Sequence, residues 1–143
     1  MTDKPRILVA DDDKLVQSAF SDILKYSGYS VIPAWDGEEA LAVAQAEQPD
    51  LILLDIMMPK RNGLQVTHEL KLNPATRAIP IIIVTALLGA TAPKLIPAEV
   101  YLQKPVRPGA LLDHVRRLLA ARGSAPLPAE RPASPEAAPP PGT

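Results

Sequence analysis

Five short apolar runs alternate with amphipathic stretches along this chain: Ile7–Ala10, Tyr29–Pro33, Leu51–Leu54, Pro80–Thr85 and Glu99–Leu102. A run of about four apolar residues is too short for a buried helix. It reads as a strand covered on both faces, as in a parallel sheet. Pro80–Thr85 is the clearest, because Ile81, Ile82, Ile83, Val84 and Thr85 are all β-branched. Its Pro80 stands at the first position, where no ladder donor is needed. The alternation itself limits the fold. Parallel strands need crossovers, crossovers are right-handed, and the result is an α/β fold with a doubly wound five-stranded parallel sheet.

The intervening stretches read as helices. Leu15, Val16, Ala19, Phe20, Ile23 and Leu24 recur at helical spacing, and Gly28 stops the run. Asp36 with Glu39 is a capping-box pattern, opening a helix that ends near Gln48. Leu64, Val66, Leu70 and Leu72 mark a third helix, broken at Asn73-Pro74. A last helix, about Pro108 to Arg122, carries Leu111, Leu112, Val115, Leu118 and Leu119. The crossover from Ala86 to Ala98 differs from the others, because it holds Gly89, Pro93 and Pro97. An interior Pro costs a helix roughly 3 kcal/mol and a Gly roughly 1. The fourth crossover helix is therefore expected to be short, irregular or missing.

Composition narrows the function classes. The chain has 143 residues, of which 47% are apolar and 22% charged, enough for one globular core. Net charge is -1, so nothing global draws it to nucleic acid or an anionic membrane. With no Cys, thiol catalysis and Cys-based metal sites are excluded. The first residues lack a signal-peptide pattern, and no apolar run is long enough to span a membrane. The expectation is a cytoplasmic protein without membrane insertion. Residues 1–123 read as the domain. Residues 124–143 hold seven Pro and five Ala, the composition of a disordered tail or linker. A passive tail is favoured over a docking one.

Polar residues punctuate the ends of the apolar runs. Asp11 and Asp12 follow the first, Asp55 the third and Lys104 the fifth, while Thr85 ends the fourth. In a parallel sheet those ends share one edge, the edge where ligands bind in open α/β sheets. Adjacent carboxylates repel unless a cation or solvent relieves them. Three carboxylates without thiols suit a hard, oxygen-seeking cation, and Mg2+ typically takes one or two carboxylates plus water and phosphate oxygens. A Lys ammonium and a Thr hydroxyl can both engage phosphoryl oxygens. Metal, ammonium and donors of this kind stabilise a transferring phosphoryl group. Asp55 is then the candidate nucleophile, since carboxylates form acyl phosphates. No GxxxxGK[ST] loop is present, so the donor is expected to be a phosphoprotein or small phosphodonor rather than ATP.

These stretches resemble the receiver domain of bacterial two-component response regulators, the CheY-like superfamily. The resemblance covers about Arg6 to Arg122. It rests on Ile7-Leu8-Val9-Ala10-Asp11-Asp12-Asp13, on Pro49-Asp50-Leu51-Ile52-Leu53-Leu54-Asp55-Ile56-Met57-Met58-Pro59 with Gly63, on Ile79–Ala86, and on Tyr101-Leu102-Gln103-Lys104-Pro105. It implies a flavodoxin-like strand order 2-1-3-4-5. It implies that Asp55 accepts phosphate from a phosphohistidine on a sensor histidine kinase or phosphotransfer protein. Asp12, Asp55 and the Met57 backbone carbonyl would bind Mg2+ directly, and Asp11 through water. Thr85 and Lys104 would contact the phosphoryl group, the Lys104-Pro105 bond would be cis, and Thr85 and Tyr101 would form the switch pair. Such a protein is not an enzyme on other substrates; it catalyses only its own phosphorylation and dephosphorylation, and an unidentified downstream protein reads the result.

The chain departs from that pattern in places. Thr85 to Lys104 is a few residues shorter than usual, and Ile96-Pro97-Ala98-Glu99-Val100 replaces an acidic signature. The usual receiver dimer, built on the face of the fourth crossover helix, is therefore not expected. Neither Met57 nor Leu87, each two residues past a site residue, can orient an attacking water, which predicts slow loss of phosphate. His68 and His114 lack any ligand spacing and read as solvated helix positions. Two other readings remain: a phosphatase-like hydrolase, which would need a second carboxylate where Met57 stands, and a phosphorylation-independent interaction module.

Overall fold

The computed structural model describes residues 4–86 and 98–122. The chain alternates strand and helix: β1 (Arg6–Ala10), α1 (Lys14–Tyr26), β2 (Ser30–Ala34), α2 (Gly37–Glu47), β3 (Leu51–Leu54), α3 (Gly63–Leu72), β4 (Ile81–Thr85), β5 (Val100–Gln103) and α4 (Pro108–Ala121). All five strands are parallel, in the order β2-β1-β3-β4-β5. The sheet, its order and the doubly wound arrangement are those expected. The crossover expected to lack a regular helix, with its Gly89, Pro93 and Pro97, lies at 87–97, outside the described residues, as does the whole of the tail at 124–143.

β1, β3 and β4 are buried along nearly their whole lengths, which is why they read as unbroken apolar runs. The sheet divides the core in two. On one face Leu8, Ile52, Leu54, Ile81 and Ile83 pack with Ala40, Ala44, Val66 and Leu70 of α2 and α3. On the other Ile7, Val9, Leu51, Leu53, Ile82 and Val84 pack with Phe20 and Leu24 of α1 and Leu111, Val115, Leu118 and Leu119 of α4. The alternation of strand side chains sends one set each way.

Helix periodicity is looser than the sequence suggests. In α1 the buried residues are Gln17, Phe20 and Leu24, while Leu15 is 81% exposed and Ala19 is also exposed. In α3 Leu72 points outward. Leu15 lies on the first turn of α1 and Leu72 on the last turn of α3. Capping follows the sequence. Asp13 caps α1 by accepting the Leu15 and Val16 N–H groups, and Asp36 caps α2 by accepting that of Glu39. The Glu39 carboxylate reaches one residue further back than a standard capping box, to the Trp35 N–H. Among the described residues no helix is long and apolar enough to cross a membrane.

Candidate functional site

The register brings the strand ends to one edge. Ala10 lies opposite Leu54, Leu54 opposite Ile83, and Thr85 opposite Gln103. Asp11 and Asp55 therefore emerge side by side, and Lys104 follows one residue past β5. The Asp55 N–H donates to the Ala10 carbonyl (3.1 Å) and the Lys104 N–H to the Thr85 carbonyl (2.9 Å). The sheet ladder thus runs into the site and fixes the backbone beneath it.

Carboxylate oxygens of Asp11, Asp12 and Asp55 lie within 4.8 Å of one another. Asp11 and Asp55 are buried; Asp12 is exposed. The Lys104 Nζ donates to Asp11 Oδ2 at 2.8 Å and to Asp55 Oδ2 at 3.0 Å. These contacts join residues 93 and 49 positions apart in sequence. Thr85 is fully buried at the end of β4. The Lys104-Pro105 bond is cis.

The electrostatics follow from this packing. Burial raises the Asp11 carboxyl above its ordinary value, and the hydrogen bonds from Lys104 and the Asp13 N–H offset only part of that. Burial also pushes the Lys104 ammonium down, but its bonds to Asp11 and Asp55 outweigh it, so its pKa ends above the usual lysine value. Three carboxylates and one ammonium leave two negative charges when all are ionised (3 − 1 = 2). A divalent cation with oxygen ligands matches that excess and that donor set.

The loop after β3 is shaped around Asp55. Met57 N–H donates to Asp55 Oδ1 (3.2 Å), and Gly63 N–H to the Ile56 carbonyl (2.9 Å). A Cβ on Gly63 would overlap the Asp55 carbonyl oxygen, so only glycine lets α3 begin this close. The two methionines divide: Met58 is buried in the core, while Met57 is 57% exposed at the rim. Tyr101 is half-buried against the α2–α3 face, and its hydroxyl accepts the Ala98 N–H at 3.2 Å. All the candidate site residues in the described chain except Tyr101 thus gather at this edge; Tyr101 stands within β5. Leu87 lies outside the described residues.

A family model described as the response regulator receiver domain matches residues 7–116. The chain belongs to the response regulator receiver family. PilH of Pseudomonas aeruginosa is 38% identical over 118 residues, 80% of this chain and 98% of that protein. RpaA of Synechocystis, a DNA-binding dual master transcriptional regulator, is 40% identical over 119 residues, 80% of this chain and 49% of its own length. The chain thus spans about half the length of several relatives it matches. Among solved structures, a CheY-like receiver from Methanospirillum hungatei is 30% identical, with a TM-score of 0.78 over 85% of this chain and 98% of its own. The receiver of a sensor histidine kinase from Pseudomonas aeruginosa is 28% identical, with a TM-score of 0.77 over 82% of this chain and 98% of its own. That structure has a magnesium ion coordinated in its active site cleft. Receiver domains act in two-component signalling with histidine kinases, and phosphoryl transfer and Mg2+ dependence are general to the family.

Other readings of the sequence are resolved here. Lys60 and Arg61, in the turn before α3, pair with Asp36 (3.5 Å) and with Glu69. His68 is exposed as expected, whereas His114 is half-buried beside Arg117. One polar residue of the site region was not singled out in the sequence. Gln17 is buried beneath the acidic turn, hidden among the apolar positions of α1. Its signal was a polar side chain on the helix face turned to the sheet.

Proposed function

We propose that this receiver is a phosphoacceptor switch whose acceptor is Asp55. The observation that carries the reading is the cluster of Asp11, Asp12 and Asp55 with the Lys104 ammonium shared between Asp11 and Asp55. An Asp55 oxygen attacks the phosphorus of a phosphohistidine. The new O–P bond forms as the N–P bond breaks, and the leaving electron pair returns to the imidazole nitrogen, which then takes a proton. Lys104 gives up its carboxylate contacts to meet a phosphoryl oxygen. Thr85, at the end of the neighbouring strand, supplies a hydroxyl to another.

Asp12, Asp55 and the Met57 carbonyl would hold Mg2+, with Asp11 behind them through water. Bound there, the ion would neutralise charge developing on the phosphoryl oxygens. The buried apolar strand ends beneath Asp55 keep that charge in a poorly screened setting, where fixed cations act most strongly. A hydroxyl shift at Thr85, coupled to the Tyr101 ring, would pass the phosphorylated state to the surface and alter contact with a protein partner. The chain would catalyse only its own phosphorylation and dephosphorylation, in the cytoplasm, with a histidine kinase or phosphotransfer protein as donor.

The test is the intact mass after incubation with Mg2+ and acetyl phosphate. A single phosphoryl adduct is expected on the wild type and none on Asp55→Asn. Equal labelling of both, or of neither, would overturn the assignment. The rim position of Met57 adds a second expectation, since a thioether cannot orient water there. Met57→Asn should lose its phosphoryl group several-fold faster than wild type, read as decay of the adduct mass after donor removal. An unchanged decay rate would show that this position does not set the lifetime.

A further inference from the structure

Six polar side chains are buried among the described residues: Asp11, Gln17, Asp55, Thr67, Thr76 and Thr85. Asp11, Asp55 and Thr85 belong to the pocket, and Thr76 closes the turn after α3 through the Leu70 carbonyl. Thr67, on α3, has no partner for its hydroxyl. Gln17 is different: it is 4% exposed and its carboxamide nitrogen lies against three backbone carbonyls. It donates to Val9 at 2.8 Å, to Ala34 at 2.8 Å and to Asp11 at 3.1 Å.

Those three carbonyls belong to two neighbouring stretches of backbone, the C-terminal ends of β1 and β2. Val9 is in β1, Ala34 ends β2, and Asp11 opens the acidic turn. The Asp11 N–H donates to the same Ala34 carbonyl (3.1 Å), so that oxygen accepts twice. A carboxamide has two N–H bonds. The two short contacts take them, and the longer one, to Asp11, is shared. Gln17 is also tied to the far end of the turn, since its backbone N–H donates to the Asp13 carbonyl (3.0 Å). The turn 11–13 is thus closed at both ends by one residue of α1. No water is needed to satisfy the carbonyls beneath it.

We propose that Gln17 is a positioning residue for the cation site: it holds the Asp11–Asp12 turn at the pitch that lets both carboxylates face the same ion as Asp55. This rests on the functional reading above. Gln17 touches neither the ion nor the phosphoryl group. It acts through the backbone that carries two of the carboxylates. Asp55 stands just past the end of β3, outside the clamp, so the effect falls on metal affinity more than on phosphoryl transfer once metal is saturating.

The test uses the full chain and MgCl2 in isothermal titration calorimetry. Gln17→Met keeps length and charge but removes the donor. Its dissociation constant for Mg2+ should rise about tenfold or more, the usual scale for losing an outer-shell support. Gln17→Asn pulls the donor back by one methylene and should fall between the two; it carries the test if Gln17→Met does not fold. At saturating Mg2+, the rate of acetyl phosphate labelling should drop less than threefold in either variant. Both substitutions are neutral for neutral, so a changed affinity cannot come from a changed charge. Phe20→Leu, in the same helix and core, controls for stability: it should lower the melting temperature and leave the Mg2+ constant unchanged. Wild-type affinity in Gln17→Met, or in Gln17→Asn where that variant stands in, would overturn the proposal. So would an equal loss of affinity in Phe20→Leu at a matched loss of stability. If the wild type itself binds no Mg2+, the functional reading falls and takes this inference with it.

Discussion

The two ends of the parallel sheet use the same kinds of charged residue for opposite purposes. At the end where the strands begin, acids and bases are matched and partly exposed. Arg6 pairs with Glu47, Asp50 accepts the Arg6 N–H and lies 3.9 Å from Arg122, and Lys71 pairs with Glu99 at 2.9 Å. These contacts tie loops and helix ends to the sheet. At the end where the strands finish, Asp11 and Asp55 have side chains only 3% and 8% exposed and share one ammonium. Exposed, balanced pairs contribute little and ask for nothing more. Buried, unbalanced charge is costly unless something compensates it, and groups kept in that condition mark a working site.

The largest expected effect comes from removing the shared cation. Lys104→Met should slow phosphoryl labelling of Asp55 by about 10²–10³-fold, the scale for losing one charge-stabilising donor in a dry site. The rate of the mass shift with acetyl phosphate at saturating Mg2+ measures it. A change under threefold would mean that Lys104 serves the carboxylates alone.

Neutralising one buried acid probes the imbalance from the other side. The folded value of Asp11 is raised, chiefly by burial. Stability linked to such a group is fully present below its unfolded pKa and is lost as pH rises through the folded value. Asp11→Asn keeps an acceptor for the Asp13 N–H and removes the charge. Without metal at pH 7 it should gain about 1–2 kcal/mol, and lose part of the fall in stability as pH rises from 4 to 8. Denaturant melts across that range give both numbers. A less stable variant would show that the Lys104 pair outweighs the burial of Asp11.

The opposite end should respond in the reverse manner. Lys71 donates to the Arg77 and Ile79 carbonyls as well as to Glu99, whose carboxylate also accepts the Ile81 N–H. Lys71→Met should cost about 1 kcal/mol of stability. Mg2+ affinity and labelling rate should stay within twofold of wild type. A loss of either would erase the distinction between the two ends.

Much of this was readable without the fold. The unbroken apolar runs of β1, β3 and β4 announce strands covered on both faces. Asp13 and Asp36 announce helix starts, because a side-chain acceptor there meets the orphan N–H groups. The types and order of Asp11, Asp12, Asp55, Thr85 and Lys104 name the chemistry, since each follows or ends a run. Other features could not be read. Leu15 and Leu72 keep the spacing of a buried face yet point outward. Gln17 is polar yet is buried on one face with Phe20 and Leu24. Periodicity describes one helix alone; burial depends on what packs against that helix.

The sequence by itself determined the alternation of strand and helix, the parallel sheet and the residue types available at its edge. Each follows from local patterns, and the handedness of crossovers does the rest. Only the tertiary structure decided which acids are buried and which, like Asp12, remain in solvent. Only it placed the Lys104 ammonium between Asp11 and Asp55, and the Gln17 amide beneath the turn. Those outcomes depend on distances between segments far apart in the chain. They are set when strand register and helix packing bring separate backbones within about 3 Å, the reach of a hydrogen bond.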